Sequence, residues 1–552
     1  MERTWDDEVD VLVVGTGAAG LAAAIAAKDS GARVLVAEST DRWGGTTMRS
    51  GGGLWMPANP LMARDGVADT PEEALTYMDA VIDDVGPASS PERRRAYVEG
   101  IPGVVTSLED HGVVWARATD YPDYYPEQPG GKVGRSIECE PFDTRTLGTW
   151  MKHSRMHDGG MPLPLKTDDV WLLARAWSTP SGFVRGARFV LRTLTMVLTG
   201  KRPAGIGAAL ACSLMKVVRD QGTPVLLRSP LTELVVEGGE VVGAVLGGPN
   251  GSRRVRVRGG VVVCAGGFAH RTEWREKYHG VPGWSAAADG DQGTGIEVGV
   301  EAGAAVALMD DAWWGAGVPV EGGMNGFVLS ERSMPYSIVV DNRGERFANE
   351  STSYIDFGHA LLENGSDGAA EPSWMIMDVR AKRRYLFTVG PGAGKALRAA
   401  GTIVEADTLE DLARLLHLEP ARLRETVRRF NGFARTGDDE DFHRGDSLYD
   451  RYYGDPSVRP NPNLGPIERG PFTAVKIVPG DLGTKGGLLT DEHGAVLRDD
   501  LSPIPGLYAA GNSTASVMGR TYPGPGSTIG PAVVFGTIGA RHAAERGRVT
   551  SP

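Results

Sequence analysis

The sequence predicts an α/β fold in which a parallel-sheet domain is interrupted by an inserted α+β domain. An apolar strand, a glycine-rich turn and an alanine-rich helix follow one another over residues 10–28. Two more apolar strands, over residues 255–264 and 507–510, also end in glycine, as parallel strands do where they return the chain to one edge of a sheet. A chain of 552 residues is too long for one hydrophobic core, so at least two domains are expected.

The first glycine-rich turn has the spacing of a dinucleotide-binding site. Gly15 permits the tight turn after the first strand, Gly17 lets the backbone approach a pyrophosphate, and Gly20 allows the helix to pack closely on the strand. The helix, predicted over residues 18–28, directs its first N–H groups at the phosphates. The next strand ends at Glu38, where a carboxylate accepts hydrogen bonds from a ribose. The sequence therefore predicts a Rossmann-like nucleotide-binding domain.

A second glycine-rich loop, over residues 41–53, indicates FAD rather than NAD. The loop follows the second strand directly, where an NAD site usually continues into another helix. A flavin site needs a second backbone surface there, for the rest of the pyrophosphate and the ribityl chain. We therefore expect non-covalently bound FAD. The residues predicted to contact it are Gly15, Gly17, Ala18, Ala19, Gly20, Glu38, Ser39, Gly44, Gly45, Thr46, Thr47, Ser50, Gly51, Gly52, Ala265, Gly266, Gly511, Asn512 and Ile529.

Between the first two glycine-terminated strands the sequence indicates helices and a small β-layer. Residues 182–198 mix arginine with apolar side chains, which suits a helix on a membrane surface, although a packed amphipathic helix is the favoured interpretation. The other predicted elements are helices over residues 71–84, 90–111 and 207–220, and strands over residues 224–227, 231–237 and 240–246.

The character of the sequence changes near residue 284, where the βαβ period is lost. We predict an FAD-binding domain over residues 1–283 and 481–552, with a catalytic or substrate domain, including a charged helix over residues 420–434, at 284–480. The final helix begins near Pro531, whose missing N–H costs little at that position. The N-terminus of this helix suits the negative charge of a reduced isoalloxazine.

Composition restricts the partners. The formal net charge is −12 and no Lys/Arg cluster offsets it, which argues against nucleic acid. Cys139, Cys212 and Cys264 lack zinc-ligand or CxxC spacing, which suggests a reducing compartment without disulfides, and nothing resembles a metal site. No signal peptide or membrane-spanning run is recognised, so we expect a cytoplasmic protein without stable membrane insertion.

Further motifs carry a resemblance to a known family. They are Gly44-Gly45-Thr46 with SGGG at 50–53, YPDYYPE at 121–127, RFANESTSY at 346–354, YDRYYGDP at 449–456, DLGTKGG at 481–487 and TYPGPG at 521–526. Through them the chain resembles the 3-ketosteroid Δ1-dehydrogenases of the fumarate reductase/succinate dehydrogenase flavoprotein superfamily, over nearly its whole length. The first motif is superfamily-wide, whereas the tyrosine-bearing motifs are specific to the family.

The resemblance implies desaturation of the bond between C1 and C2 in a 3-oxosteroid, with FAD taking the hydride and an unidentified acceptor reoxidising it. Tyr354 matches the family's base, which removes a proton from C2. Tyr522 O–H and the Gly526 backbone N–H match the pair that binds the C3 oxygen. The motif at 121–127 matches a supporting tyrosine, for which Tyr124 is our choice while Tyr121 and Tyr125 stay open as candidates.

Other interpretations remain open. Tyr336 is a rival for the base by its proximity in sequence, but it lacks the Asn-Glu-Ser context that precedes Tyr354. A fumarate-type site needs Arg and His to hold two carboxylates, and Arg520 keeps that alternative open. A steroid Δ4-dehydrogenase, an enoate reductase and a non-catalytic flavin-binding protein are the competing functions.

For some residues the sequence allows a site role or a purely structural role, and for others it favours the structural role. Trp313 and Trp314 either line an apolar slot or belong to the core. Asp310, Asp311 and the acids of residues 438–441 are expected to be solvated loop residues.

Overall fold

The computed structural model describes residues 4–549 except 250, 282, 321–322, 367–372 and 387–393. Its strands are β1 Asp7–Val14, β2 Val34–Ala37, β3 Leu54–Trp55, β4 Trp115–Arg117, β5 Ser136–Cys139, β6 Phe142–Asp143, β7 Pro203–Ala204, β8 Val225–Leu226, β9 Leu231–Glu237, β10 Glu240–Leu246, β11 Arg253–Val263, β12 Trp284–Ser285, β13 Val306–Ala307, β14 Ala312–Val320, β15 Gly323–Phe327, β16 Ser337–Val340, β17 Ser373–Met377, β18 Ile403–Ala406, β19 Phe472–Thr484, β20 Gly487–Leu488, β21 Ala495–Leu497 and β22 Pro503–Ala509.

The helices follow the predicted ones closely wherever apolar spacing and caps were clear. They are α1 Ala18–Asp29, α2 Pro60–Arg64, α3 Pro71–Val81, α4 Pro91–Asp110, α5 Thr167–Leu173, α6 Pro180–Leu198, α7 Ile206–Asp220, α8 Thr272–His279, α9 Thr294–Glu301, α10 Tyr354–Ser366, α11 Val379–Arg384, α12 Gly394–Ala399, α13 Leu409–Leu415, α14 Pro420–Thr436, α15 Leu448–Tyr453 and α16 Ile529–Val549.

The first sheet has the order β21-β22-β11-β1-β2-β8, with β10 and β9 attached to β11. The pairs from β22 through β8 are parallel. Val14 at the end of β1 lies opposite Ala37 and Val263, and Val263 lies opposite Ala509. Four strands therefore end level with one another, and the turns that follow them meet at one edge of the sheet, where nucleotides bind in open α/β folds.

The second sheet has the order β15-β14-β19-β17-β16, and β12 and β18 also pair with β19. Its strands come from residues 284–484. The long strand β19 runs antiparallel to β14, β17 and β18. The fold is thus a mixed α/β fold, as the sequence predicts, while the domain division at residues 284 and 480 stays a prediction.

Close helix packing beneath the first sheet depends on small residues. The second half of strand β1, from Val11 to Val14, is buried because helices cover it, as expected for a parallel strand. Helix α1 packs on α16, where a Cβ on Gly536 would lie 2.5 Å from the carbonyl oxygen of Ala19. The two helices therefore approach more closely than larger side chains would allow.

Helix α6 corrects one prediction. The segment 182–198 does form an amphipathic helix, but its large apolar side chains are exposed rather than packed. Its arginines Arg185 and Arg192 instead lie toward Asp169 in the protein. None of the described helices combines the length and apolar character needed to cross a membrane. The three cysteines are free and buried.

Candidate active site

The turn between β1 and α1 contains two glycines that the protein itself requires. Gly15 has a φ of 106°, and a Cβ there would lie 2.2 Å from the carbonyl oxygen of Cys264. A Cβ on Gly20 would lie 2.1 Å from the carbonyl oxygen of Gly15. Gly17 differs, because the nearest protein atom to its added Cβ is Thr47 Oγ1 at 3.6 Å. The space beside Gly17 is therefore open for a ligand to approach the backbone.

Glu38 lies at the end of β2 and is buried among hydroxyl and amide donors. Its Oε2 accepts from Thr16 Oγ1 at 2.5 Å, and its Oε1 accepts from the Thr40 N–H at 3.0 Å. The carboxylate also lines the cavity that opens at this edge of the sheet. It is therefore oriented for a hydroxyl donor of a bound ligand.

The second glycine-rich loop is held against the first. Thr47 Oγ1 accepts from the Ala18 N–H at 2.9 Å, and the Gly44 N–H donates to Thr16 Oγ1 at 3.1 Å. The loop and the start of α1 therefore form one surface, with Gly45, whose φ is 50°, at the contact with Gly17.

A cavity of about 390 Å³ extends from these loops to a group of tyrosines. Two residues predicted to contact the cofactor, Gly20 and Gly44, are not among its lining residues, because Gly20 serves helix packing and Gly44 the contact with Thr16. The predicted residues that do line it are Gly15, Gly17, Ala18, Ala19, Glu38, Ser39, Gly45, Thr46, Thr47, Ser50, Gly51, Gly52, Ala265, Gly266, Gly511, Asn512, Ile529, Tyr124, Tyr354, Tyr522 and Gly526.

Several lining residues were missed from the sequence. Arg49, Arg155, Asp291, Thr294 and Gly295 are the clearest. The repeated Asp and Gly just before α9 were the available signal for Asp291 and its neighbours. Arg155 comes from a 3₁₀ turn with no recognisable motif.

Asp291 is a buried acid inside this cavity. A Cβ on Gly266 would lie 2.2 Å from Asp291 Oδ1, and Thr46 Oγ1 lies 3.4 Å from Asp291 Oδ2. Burial raises the pKa of Asp291 to about 7. Asp291 is therefore partly protonated near neutral pH and can donate as well as accept a hydrogen bond.

Three tyrosines predicted to act on the substrate meet at the other end of the cavity. The ring centroids of Tyr354 and Tyr522 lie 4.9 Å apart, and that of Tyr124 lies 5.7 Å from Tyr354 and 5.2 Å from Tyr522. All three side chains are buried. They come from the start of α10, from the loop before α16 and from the loop before β5, so the fold joins segments far apart in sequence.

The loop that carries Tyr522 is fixed from several sides. The carbonyl of Pro523 accepts from Tyr77 Oη at 2.6 Å and from the Tyr124 N–H at 2.9 Å. Gly526 has a φ of 101°, and an added Cβ would lie 2.4 Å from the Gly53 carbonyl carbon. Among the residues that the structure describes, none accepts a hydrogen bond from the Gly526 N–H. This donor is therefore available to a ligand near Tyr522.

The other tyrosines considered for these roles have different surroundings. Tyr121 Oη bonds Tyr453 Oη, and Tyr125 Oη donates to Asp356 Oδ1 at 2.9 Å. Tyr336 contacts the Arg380 guanidinium and is not among the described residues that line the cavity. Tyr124 is the candidate whose ring contacts both Tyr354 and Tyr522.

Burial works against ionisation of the central phenol. It raises the pKa of Tyr354 well above the usual range, and the nearby phenols of Tyr522 and Tyr124 raise it further. Burial also raises the pKa of Tyr124 well above the usual range. Tyr354 is therefore a neutral phenol at rest.

Arg332 is a buried cation whose charge interacts with the tyrosine group. Arg332 is 1% exposed, and within the described part of the chain its Nε and Nη2 have no hydrogen-bond partner. Burial lowers its pKa, while the phenols of Tyr449, Tyr453 and Tyr124 count among the groups that interact with its charge. This side chain can favour negative charge within the tyrosine group.

The prediction that Asp311 is a solvated loop acid is wrong. Lys485 Nζ donates to Asp311 Oδ2 at 3.1 Å, and His359 Nε2 lies 2.9 Å from Asp311 Oδ1. Burial alone would raise the pKa of Asp311, but the charges of Lys485 and His359 outweigh that effect and lower this pKa to about 2. Lys485 also donates to the carbonyl of Arg520, so Asp311 connects the helix of Tyr354 with the loop of Tyr522.

Asp439 also departs from the expectation of solvated acids. It is buried and accepts from the Arg346 guanidinium at 2.7 and 2.9 Å. Asp310 is exposed, as expected, and pairs with Arg520, which draws that arginine away from a substrate-binding role. Trp313 packs edge-on against Tyr522, with the two ring centroids 5.2 Å apart.

The chain is similar to a known protein family and to two known enzymes. The FAD binding domain family matches residues 10–529. The chain is 44% identical to a 3-oxosteroid 1-dehydrogenase of Mycolicibacterium smegmatis, over 97% of this chain and 96% of that protein. It is also 44% identical to a 3-oxosteroid 1-dehydrogenase of Mycobacterium tuberculosis, over 98% and 99% of the two chains.

A solved structure is also similar to this chain. The 3-ketosteroid Δ1-dehydrogenase of Sterolibacterium denitrificans, in complex with 1,4-androstadiene-3,17-dione, superposes with a TM-score of 0.90 at 35% identity. The match covers 98% of this chain and 100% of that chain.

Proposed function

The chain belongs to the FAD binding domain family. From its 44% identity to two 3-oxosteroid 1-dehydrogenases we infer that it is an FAD-dependent 3-oxosteroid 1-dehydrogenase, which forms the double bond between C1 and C2 of ring A. One observation carries the proposal beyond the family. Tyr354, Tyr522, Tyr124 and Gly526 gather at one end of a cavity whose other end is built from the dinucleotide loops. A flat apolar ketone fits between an aromatic wall and a nucleotide-derived ring.

The residues around the loops fit FAD. The open space beside Gly17 and Gly51 suits a pyrophosphate and the chain attached to it, because no atom of the described residues would meet a Cβ at Gly51 within 4 Å. Glu38 presents a carboxylate to a ribose, and Asp291 presents a carboxyl group of raised pKa. When bound, FAD accepts the hydride that leaves C1.

The C3 oxygen is held by two donors on one loop. Tyr522 Oη and the Gly526 N–H belong to the same turn, and the turn is fixed by Tyr77, Tyr124 and Thr528. Hydrogen bonds from both donors strengthen as negative charge develops on that oxygen. They therefore lower the barrier to removing a proton from C2.

Tyr354 is the base in this proposal. Its ring contacts Tyr522, so its hydroxyl can reach the carbon next to a carbonyl held by Tyr522. Tyr124 contacts both rings and supports the phenol of Tyr354. Because burial raises the pKa of Tyr354, a stabilising charge is needed. We assign this role to Arg332, whose charge interacts with Tyr124, a ring neighbour of Tyr354.

A reductive half-reaction tests the proposal. The FAD-loaded protein is mixed without oxygen with 4-androstene-3,17-dione, and the oxidised flavin absorbance is followed. We expect bleaching together with formation of the 1,4-diene. Turnover of a 5α-reduced 3-oxosteroid at C4–C5 alone would instead identify a Δ4-dehydrogenase, and reduction of an enoate would identify a reductase.

The same experiment distinguishes the proposed enzyme from a non-catalytic flavoprotein. It would bind the steroid, as seen by a spectral perturbation, without bleaching the flavin. Binding without reduction across several 3-oxosteroids would therefore reject the enzyme proposal.

A further inference from the structure

Helix α6 presents its apolar side chains to solvent. Phe183 and Leu191 are each 66% exposed and Leu198 is 84% exposed. Together with Val184, Val190, Leu194 and Val197, they recur at helical spacing and share one side of the helix. We call these seven residues the apolar stripe of α6.

The helix is oriented opposite to an ordinary surface helix. Arg185 and Arg192 pair with Asp169, which is 1% exposed, so the polar side faces the protein. The N-terminus is fixed as well, because Thr179 Oγ1 accepts from the Gly182 N–H at 3.1 Å. A helix held in this way cannot turn its apolar stripe inward, and an exposed stripe of this size marks an interaction surface.

Charge indicates what covers the stripe. The chain has a net charge of −12, yet residues 170–205 contain no Asp or Glu and six Lys or Arg. Arg188, Lys201 and Arg202 are exposed at or just beyond the helix. Exposed Trp177 precedes it, and tryptophan favours the boundary between water and lipid. An apolar stripe with basic flanks complements an anionic lipid surface.

We propose that α6 is an interfacial anchor that lies in the plane of a membrane containing anionic phospholipids, with the apolar stripe among the acyl chains. A second copy of the chain is a poorer occupant, because a two-fold contact through the stripe would place like basic flanks near each other. Spanning the bilayer is not required for this mode of binding.

The anchor lies close to the candidate active site. Helix α5 packs against α6, and Thr167 at its first residue lines the cavity. The proposal does not rest on the proposed reaction, because lipid binding is measured without turnover.

Vesicle flotation of the FAD-loaded full-length protein tests the anchor. Vesicles of phosphatidylcholine alone are compared with vesicles that also contain phosphatidylglycerol. We expect binding to the anionic vesicles, weakened by salt. A variant with Phe183, Leu191, Leu194 and Leu198 all changed to Gln should lose vesicle binding by about tenfold or more, because it no longer buries those side chains.

Two further variants make the result specific. Changing Leu415 and Leu501 to Gln alters side chains that are 56% and 51% exposed elsewhere, and should leave binding unchanged. Changing Lys201 and Arg202 to Gln should weaken binding to anionic vesicles only. An unchanged flavin spectrum shows that each variant is folded.

Three results would overturn the proposal. They are no binding to anionic vesicles, equal binding by the four-residue variant, and a dimer in sedimentation that this variant abolishes without any vesicle binding. The last would assign the stripe to a second copy of the chain.

Discussion

The phenol of Tyr354 is subject to opposing demands. Burial among aromatic rings raises its pKa and keeps it protonated, yet in the role we propose for it the phenol must remove a proton from carbon. The same burial excludes water and positions the ring against Tyr522 and Tyr124. The burial that positions the Tyr354 ring therefore also makes its phenol harder to ionise. Positive charge on a neighbouring group has to stabilise the phenolate.

Replacing Tyr354 with Phe tests its role as the base. The variant keeps the ring that packs against Tyr522 and Phe327 but lacks the hydroxyl. We expect flavin reduction by steroid to be abolished while the dissociation constant for the steroid changes little. Stopped-flow reduction and spectral titration measure the two separately, and near-normal reduction would move the base elsewhere.

Tyr522→Phe removes one of the two donors proposed for the C3 oxygen. The reduction rate should fall by about a hundredfold or more, as for other oxyanion donors, and saturation with steroid should not restore it. Tyr336→Phe serves as the control, because Tyr336 packs against Arg380 outside the cavity lining. Equal effects of the two changes would contradict the assignment.

Arg332 should act through the charge it places behind the tyrosines. In Arg332→Met the phenols lose a stabilising cation, so the pH at which flavin reduction reaches half its maximum should rise by on the order of one unit. Arg332→Lys keeps a charge and should restore the profile in part. A lower rate with an unmoved pH profile in both variants would show a purely structural role.

At the scale of elements, the junction of β1 with α1 leaves no room for a side chain at Gly20. A Cβ would meet the Gly15 carbonyl at 2.1 Å, so Gly20→Ala must shift the helix that carries the first loop. We expect a loss of about 1–3 kcal/mol in stability and weaker FAD retention. Thermal unfolding and flavin release measure both effects.

Gly103→Ala is the matched control within another helix. Gly103 is an exposed residue of α4, and within the described part of the chain no atom outside its own helical backbone lies within 4 Å of its added Cβ. The change should stabilise the protein by about 0.5–1 kcal/mol, because alanine is the better helix former. Destabilisation of similar size at both glycines would mean that the contact at Gly20 is not the cause.

These elements also show what the sequence can predict. The strand, turn and helix around Gly15 are adjacent in the chain, so local spacing specifies them and the structure agrees. The burial of Asp311 depends on Lys485, which lies 174 residues away, and no local pattern reveals such a pair. The solvent-facing stripe of α6 was missed for a related reason, since periodicity gives amphipathicity but not which side faces the protein.

At the scale of the whole molecule, the cavity is where the separated parts of the chain meet. Its lining runs from Val14 to Ala532 and includes Tyr354 from the region of the second sheet. The sequence predicted the glycine loops and the tyrosines as separate motifs, and a family resemblance was needed to place them together. FAD binding should therefore stabilise the entire fold rather than one domain, by about 2.7 kcal/mol at a hundredfold excess over its dissociation constant.

The same cavity makes the stability of the FAD-free protein depend on pH. Asp291 has a pKa of about 7 in the folded chain, against 3.8 for a solvated carboxyl. The folded state therefore holds this proton more tightly than the unfolded state, and it loses stability as the pH rises from about 4 through about 7. Asp291→Asn cannot ionise, so it should escape this loss.

We expect the FAD-free Asp291→Asn protein to unfold at a higher temperature than the parent at about pH 8, by an amount corresponding to on the order of 2–4 kcal/mol, and at nearly the same temperature at about pH 4. Differential scanning fluorimetry across this range measures the gap. Asp289→Asn, two residues away and exposed, should show no such pH-dependent gap. A gap for Asp291→Asn that is constant with pH would mean that ionisation of this carboxyl is not what destabilises the empty cavity, because only a titrating group makes the difference grow as protons are withdrawn.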